Sequence, residues 1–173
     1  MKHIITTVAT RLQQQCNTLQ YIDRNWGQLG YNENPPVKWP CALIDIPSVQ
    51  FAQGLRGTQF ATGTVDVTVA FLRLNPTSAT APKRNDTFDM MDLIDEVTEA
   101  LHGYGTGGMQ PLQRVSVRKD VATKGMEQYT ISFSAAWTVK LVPDTAEVSP
   151  ELNIAGGDTA EEETPGTSQG ESE

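Results

Sequence analysis

Between residues 129 and 141 the chain alternates. Tyr129, Ile131, Phe133, Ala135, Trp137, Val139 and Leu141 hold the odd positions, and Thr130, Ser132, Ser134, Ala136, Thr138 and Lys140 the even ones. Successive side chains of a strand point to opposite faces, so this period of two predicts a strand with one apolar and one wet face. An antiparallel sheet covered on one side reads this way. Residues 64–74 repeat the pattern, with Val65, Val67, Val69 and Phe71 against Thr64, Asp66 and Thr68.

Elsewhere the period is helical. Ile5, Val8, Leu12, Cys16, Leu19 and Ile22 recur every three or four residues and predict a first helix over 4–22. Met90, Leu93, Ile94, Val97 and Leu101 predict a second over 87–102. Asp86 suits its N-cap, Asp89 the positive end of its dipole, and Gly103 its end. An irregular Pro- and Gly-bearing connection over 23–40 leads to a short apolar strand over 41–46, closed by Pro47. Residues 48–63, broken by Gly54, Gly57 and Gly63, fit either a long hairpin arm or a loop. A strand over 112–121 and a turn at Lys124-Gly125 complete the series. The order α-β-β-α-β-β predicts an α+β domain: an antiparallel sheet of four strands or slightly more, with both helices on one face.

Charge divides the chain. Residues 1–143 hold 13 Lys and Arg against 12 Asp and Glu, whereas 144–173 hold nine acids and no base. A single near-neutral domain over 1–143 therefore carries an acidic C-terminal tail over 144–173. The tail is too poor in apolar residues to offset its ordering entropy and is expected to be largely disordered. The body lacks the basic excess of a dedicated nucleic-acid binder. Cys16 and Cys41 form no framework, and two buried reduced thiols are expected. No signal peptide and no apolar run of membrane-spanning length is evident, which favours a reducing, cytoplasm-like compartment.

The candidate chemistry is thin. The glycine-rich segment 103–108 precedes a strand, the reverse of a phosphate-binding loop, and lacks the Lys-Ser/Thr pair. Asp92, Asp95, Glu96 and Glu99 line the polar side of the second helix, where solvation is the ordinary role of such carboxylates. His3 and His102 share no zinc spacing with the two cysteines. Trp26 and Trp39 flank the Pro-rich connection, placed either to anchor a partner or to pack over the sheet. No enzyme, cofactor or metal site is expected.

Several segments, in order, resemble the tail-terminator (tail-completion) proteins of long-tailed bacteriophages and prophages. They are the N-terminal helix, the connection Tyr21-Ile22-Asp23-Arg24-Asn25-Trp26-Gly27-Gln28-Leu29, the stretch Pro35-Pro36-Val37-Lys38-Trp39-Pro40-Cys41-Ala42-Leu43-Ile44-Asp45-Ile46, the long valine strand, and a helix ending Ala100-Leu101-His102-Gly103. The resemblance spans about residues 1–142. It implies an antiparallel sheet with helices on one side, and no catalytic residue. It also implies a ring, typically a hexamer, that caps the tail tube, ends tail polymerisation and offers a docking surface to the head connector. The implied partners are further copies of the chain, the tail tube protein and a head–tail connector or neck protein, with DNA passing only as cargo and no membrane. The implied location is the virion, after assembly in the bacterial cytoplasm. A ring subunit needs exposed loops or edge strands for its neighbours. The candidate contacts are Gln50, Gln53, Arg56 and Gln59 in one segment and Arg118, Lys119 and Lys124 in another. Two alternatives stand beside this reading: another neck or head–tail connector component, and a small enzyme or metal-binding domain using the acidic face of the second helix.

Overall fold

The computed structural model describes residues 1–31, 34–54, 57–72, 78–120 and 125–141, apart from the side chains of Arg84, Asp86 and Thr87. The acidic tail, Arg56 and Lys124 lie outside these residues. In chain order the elements are α1 (Lys2–Gln15), β1 (Tyr21–Arg24), a 3-10 turn (Gln28–Gly30), β2 (Cys41–Asp45), β3 (Val49–Gln53), β4 (Thr58–Leu72), α2 (Arg84–Leu101), β5 (Gln113–Lys119) and β6 (Met126–Lys140).

This corrects the expected architecture. The sheet has six strands rather than four, in the order β1-β2-β4-β6-β5 with β3 also on β4, and it is mixed. β1 pairs β2 in parallel, Ile22 beside Ala42, and the other pairings are antiparallel. The element order is α-β-β-β-β-α-β-β. Two stretches account for the difference. The helical stripe extends in sequence to Ile22, but α1 stops at Gln15, and the Tyr21–Arg24 segment pairs with a strand twenty residues downstream. The uncertain stretch over 48–63 contributes β3 and the first residues of β4, which begins at Thr58 and runs for 15 residues.

β4 and β6 form the spine, in register from Thr58 opposite Lys140 to Leu72 opposite Met126. Their odd residues face the helices. Val65, Val67, Val69, Phe71, Ile131 and Phe133 bury there against Ile4, Val8 and Leu12 of α1 and Leu93, Val97 and Leu101 of α2. Burying an aliphatic or aromatic side chain of this size contributes about 1.5–3 kcal/mol.

The opposite face is not simply wet. Cys41, Leu43 and Ala70 form a second, smaller core there, closed by Tyr21, Leu29, Val37 and Trp39. Cys41 to Ile44 are all fully buried because β2 is covered on both faces, Ala42 and Ile44 in one core and Cys41 and Leu43 in the other. Leu29, Val37 and Trp39, from the connection before β2, thus form the lid of this second core. Gln28, itself fully buried, secures it: its side-chain amide donates to the Arg24 carbonyl at 2.9 Å and accepts from the Trp26 N–H at 2.8 Å.

Candidate functional site

Two parts of the sheet keep most of their residues exposed at its edges. The first is β3, hairpinned onto the start of β4, whose Ala61 remains in the main core. β3 has the sequence Val-Gln-Phe-Ala-Gln, and all but Val49 are exposed. Paired residues of antiparallel strands share a face. Phe51 lies opposite Ala61 on the helix side, and Phe60 lies opposite Ala52 on the other. The hairpin therefore carries a phenylalanine on each face, Phe51 at 53% and Phe60 at 55% exposure. Gly63 lets β3 approach at its base. A Cβ there would collide with the Ser48 carbonyl oxygen.

The second part is β5, which ends the sheet and, among the described residues, pairs with β6 alone. All seven of its residues are exposed, among them Val115 and Val117. Register slips between Arg114 and Ser116, leaving Val115 as the extra residue of a bulge. Lys119 sits over the Tyr129 ring, its Nζ 5.3 Å from the centroid and 3.2 Å from Glu127 Oε2. The Tyr129 hydroxyl, with the Glu127 carboxylate next, holds the Lys119 pKa above its ordinary value. Arg118 meets Asp120 at 3.0 Å on the other face. Arg114 donates through Nη1 to the Thr98 hydroxyl at 3.3 Å, and its backbone N–H donates to His102 Nδ1 at 3.2 Å. His102 thus ties the C-terminus of α2 to β5.

Of the residues expected from sequence to contact partners, Gln50 and Gln53 lie on β3 and Gln59 on β4, with Gln53 opposite Gln59. Arg118 and Lys119 lie on β5. The fold does not gather them into one patch. β3 and β5 lie on opposite sides of the β4–β6 spine, three strand spacings or about 14 Å apart across the sheet, and are displaced along it as well, since β3 lies level with residues 135–139 of β6 and β5 with residues 129–134. Arg56 and Lys124 fall outside the described residues. The exposed apolar residues on the same two strands, Phe51, Phe60, Val115 and Val117, were not singled out from sequence. Phe60, set between Gln59 and Ala61 with no large apolar residue two, three or four positions away, is the one hint the sequence holds.

Other features are chemically quiet. Among the described residues no three of His, Cys, Asp and Glu converge as a metal site. Cys16 and Cys41 are buried free thiols, pushed up to about 11 and about 12 by burial. The segment from Gly103 to Gly108 joins α2 to β5. A cavity of ≈ 520 Å³ opens between the start of α1 and the ends of β1 and β2, lined by Lys2, Ile5, Arg24, Asp45 and Ile46 among others. Trp39 packs in the second core, whereas Trp26 is half exposed, edge-on to Tyr31 with ring centroids 6.3 Å apart. Among the described residues, no helix is long and apolar enough to cross a membrane.

No protein-family model matches the chain, and no curated protein does. Among solved structures, the chain is similar to one from the virion of a native gene transfer agent (GTA) particle, with a TM-score of 0.46 and 13% identity over 76% of this chain and 84% of that one. A likeness this distant says nothing of activity or partners.

Proposed function

We propose that this protein is a structural virion component of the tail-terminator type. In this reading it assembles as a ring, caps the tail tube, ends its polymerisation and presents a surface to the head connector. The observation that carries the reading is the β3–β4 hairpin with Phe51 and Phe60 exposed on opposite faces. β3 is the exposed edge of a three-stranded stretch with β4 and β6, and each phenylalanine keeps more than half of its surface open to solvent. A neighbouring subunit packed over this edge buries both rings, each aromatic side chain removing up to about 150–250 Å² from water.

The open β5 edge supports the same reading from the other side of the sheet. A subunit with distinct unpartnered features on two sides suits the head-to-tail contacts that close a ring. The quoted segments that resemble tail terminators add to this, and the near-neutral body suits a conduit that DNA traverses rather than grips. Assembly in the host cytoplasm and residence in the virion follow from the reading.

The direct test is mass in solution, by sedimentation velocity or native mass spectrometry, alone and with purified tail tube protein. The expected result is a closed multiple of the subunit mass and binding at tube ends. A strict monomer that never associates with tubes rejects the proposal. Disrupting the gene separates a terminator from a neck or connector component: the former yields overlong tails, the latter normal tails and unjoined heads.

A further inference from the structure

We infer that, in the assembled ring, the outer edge of β5 receives helix α2 of the adjacent copy. The inference rests on the ring reading above and assigns one of its contacts. β5 carries Arg114, Arg118 and Lys119 and no acid, and its two valines, Val115 and Val117, are 58% and 44% exposed. An open, partly apolar edge strand invites another element to cover it. Its bases have local partners but remain available. The Arg118 side chain is 73% exposed beside Asp120, and that of Lys119 is 52% exposed beside Glu127.

α2 offers the complement. From Asp89 to Glu99 it holds five acids, Asp89, Asp92, Asp95, Glu96 and Glu99, and no base, and all five are exposed. Met91 is exposed beside Asp92 and one turn before Asp95. The two surfaces thus match in charge and each carries an apolar centre. Within one chain, among the described residues, the β5 bases meet Asp120, Glu127 and the Thr98 hydroxyl rather than the α2 carboxylates. Among the described residues, Glu96 accepts from the Thr18 hydroxyl at 3.4 Å, and the exposed carboxylates of Asp89, Asp92, Asp95 and Glu99 are open to another molecule.

Charge also decides between occupants. A β5 edge paired with the β5 edge of a second copy sets three bases against three bases, an arrangement that destabilises strand pairs. The β3–β4 hairpin of a second copy brings no described acid to them. α2 brings five, and complementary potentials of this kind steer association and fix its register. Because the contact pairs two different elements, β5 of one copy and α2 of the next, it can repeat head-to-tail around a ring.

The test is charge exchange read by sedimentation. Arg114→Glu with Arg118→Glu, and separately Asp92→Lys with Asp95→Lys, are each expected to weaken self-association about tenfold or more. Both sets in one chain are expected to restore it. Thermal melting of each variant reports whether the subunit remains folded, and Lys38→Glu, at an exposed position in the connection before β2, serves as the unchanged control. Assembly that survives either pair alone, or that the combined set does not restore, overturns the α2–β5 contact while leaving the ring intact. Arg114→Glu with Arg118→Glu strengthening assembly points instead to β5 pairing with itself and also overturns it. Wild-type protein that never assembles, with or without tail tube protein, overturns the ring and this contact together.

Discussion

Thr68 and Thr130 lie directly opposite each other on the two longest strands, and their hydroxyls meet at 3.2 Å on the face away from the helices. Both residues are buried. The Thr130 hydroxyl donates to Asp120 Oδ2 at 2.7 Å, which spends its only proton. Thr68 must therefore be the donor to Thr130. The short relay Thr68–Thr130–Asp120 ties the sheet's centre to the end of β5. Thr130→Val removes the middle of the relay and leaves the Thr68 hydroxyl without an acceptor. The expected loss is about 1–3 kcal/mol in urea unfolding, and Thr68→Val combined with Thr130→Val should cost less than the two separate losses together.

Gly63 sets how closely β3 approaches β4, since a Cβ there would strike the Ser48 carbonyl and crowd Val49. The carbonyl is backbone and cannot rotate aside. Gly63→Ala should cost about 1–3 kcal/mol and loosen β3 selectively. Hydrogen exchange is the discriminating readout. Amides of Val49–Gln53 should lose protection, while those of β6 in the spine keep theirs.

Phe51 and Phe60 separate folding from assembly. Both are more than half exposed in the isolated chain, so Phe51→Ser and Phe60→Ser should leave its stability within about 0.5 kcal/mol. If a neighbour covers them, the same changes should weaken self-association by an order of magnitude or more, because buried aromatic anchors dominate interfaces. Sedimentation and thermal melting on the same samples decide between a contact residue and an idle one.

The two thiols give the protein an alkaline limit. Burial raises Cys16 to about 11 and Cys41 to about 12, from an ordinary 9.0, with the Glu96 carboxylate adding to the rise at Cys16. A raised thiol pKa means that the folded state holds its proton longer than the unfolded one. Stability is then unaffected below pH 9, and falls as pH rises from about 9 towards 12, where the unfolded chain binds fewer protons. Cys16→Ala and Cys41→Ala should flatten that alkaline slope in denaturant titrations. In the native protein at pH 8, alkylation of either thiol should be slow, and fast once denaturant is added.

The spine was legible in the sequence. Val65, Val67, Val69 and Phe71 alternate in β4 as Tyr129, Ile131 and Phe133 do in β6, because one face of each strand meets the helices along much of its length. The α2 stripe was legible for the same reason, with Leu93, Ile94, Val97 and Leu101 all buried. β3 was legible only as one of two readings, a hairpin arm or a loop, since all but Val49 are exposed and its residues carry little burial pattern to imprint. β1 was hidden by coincidence. Leu19 and Ile22 continue the three-residue spacing of α1, although they belong to a turn and a strand.

The candidate site was legible only in part. Gln50, Gln53, Gln59, Arg118 and Lys119 do lie on the two outlying strands, since polar residues between predicted elements tend to be exposed. Phe51, Phe60, Val115 and Val117 escaped notice because an apolar residue in a short strand reads as buried until its surroundings are known.

The sequence by itself determined the local periods, which residues of β4, β6 and α2 turn inward, and that the net negative charge is confined to the last thirty residues. Those features depend on neighbours two to four positions away. The tertiary structure decided that Tyr21–Arg24 lies parallel to Cys41–Asp45, that a second core closes over Cys41 and Leu43, and that β3 and β5 are left open. Each of these depends on which distant segment arrives alongside. Strand pairing is specified by backbone hydrogen bonds that every sequence can form, and only the packing of the whole chain selects among the partners.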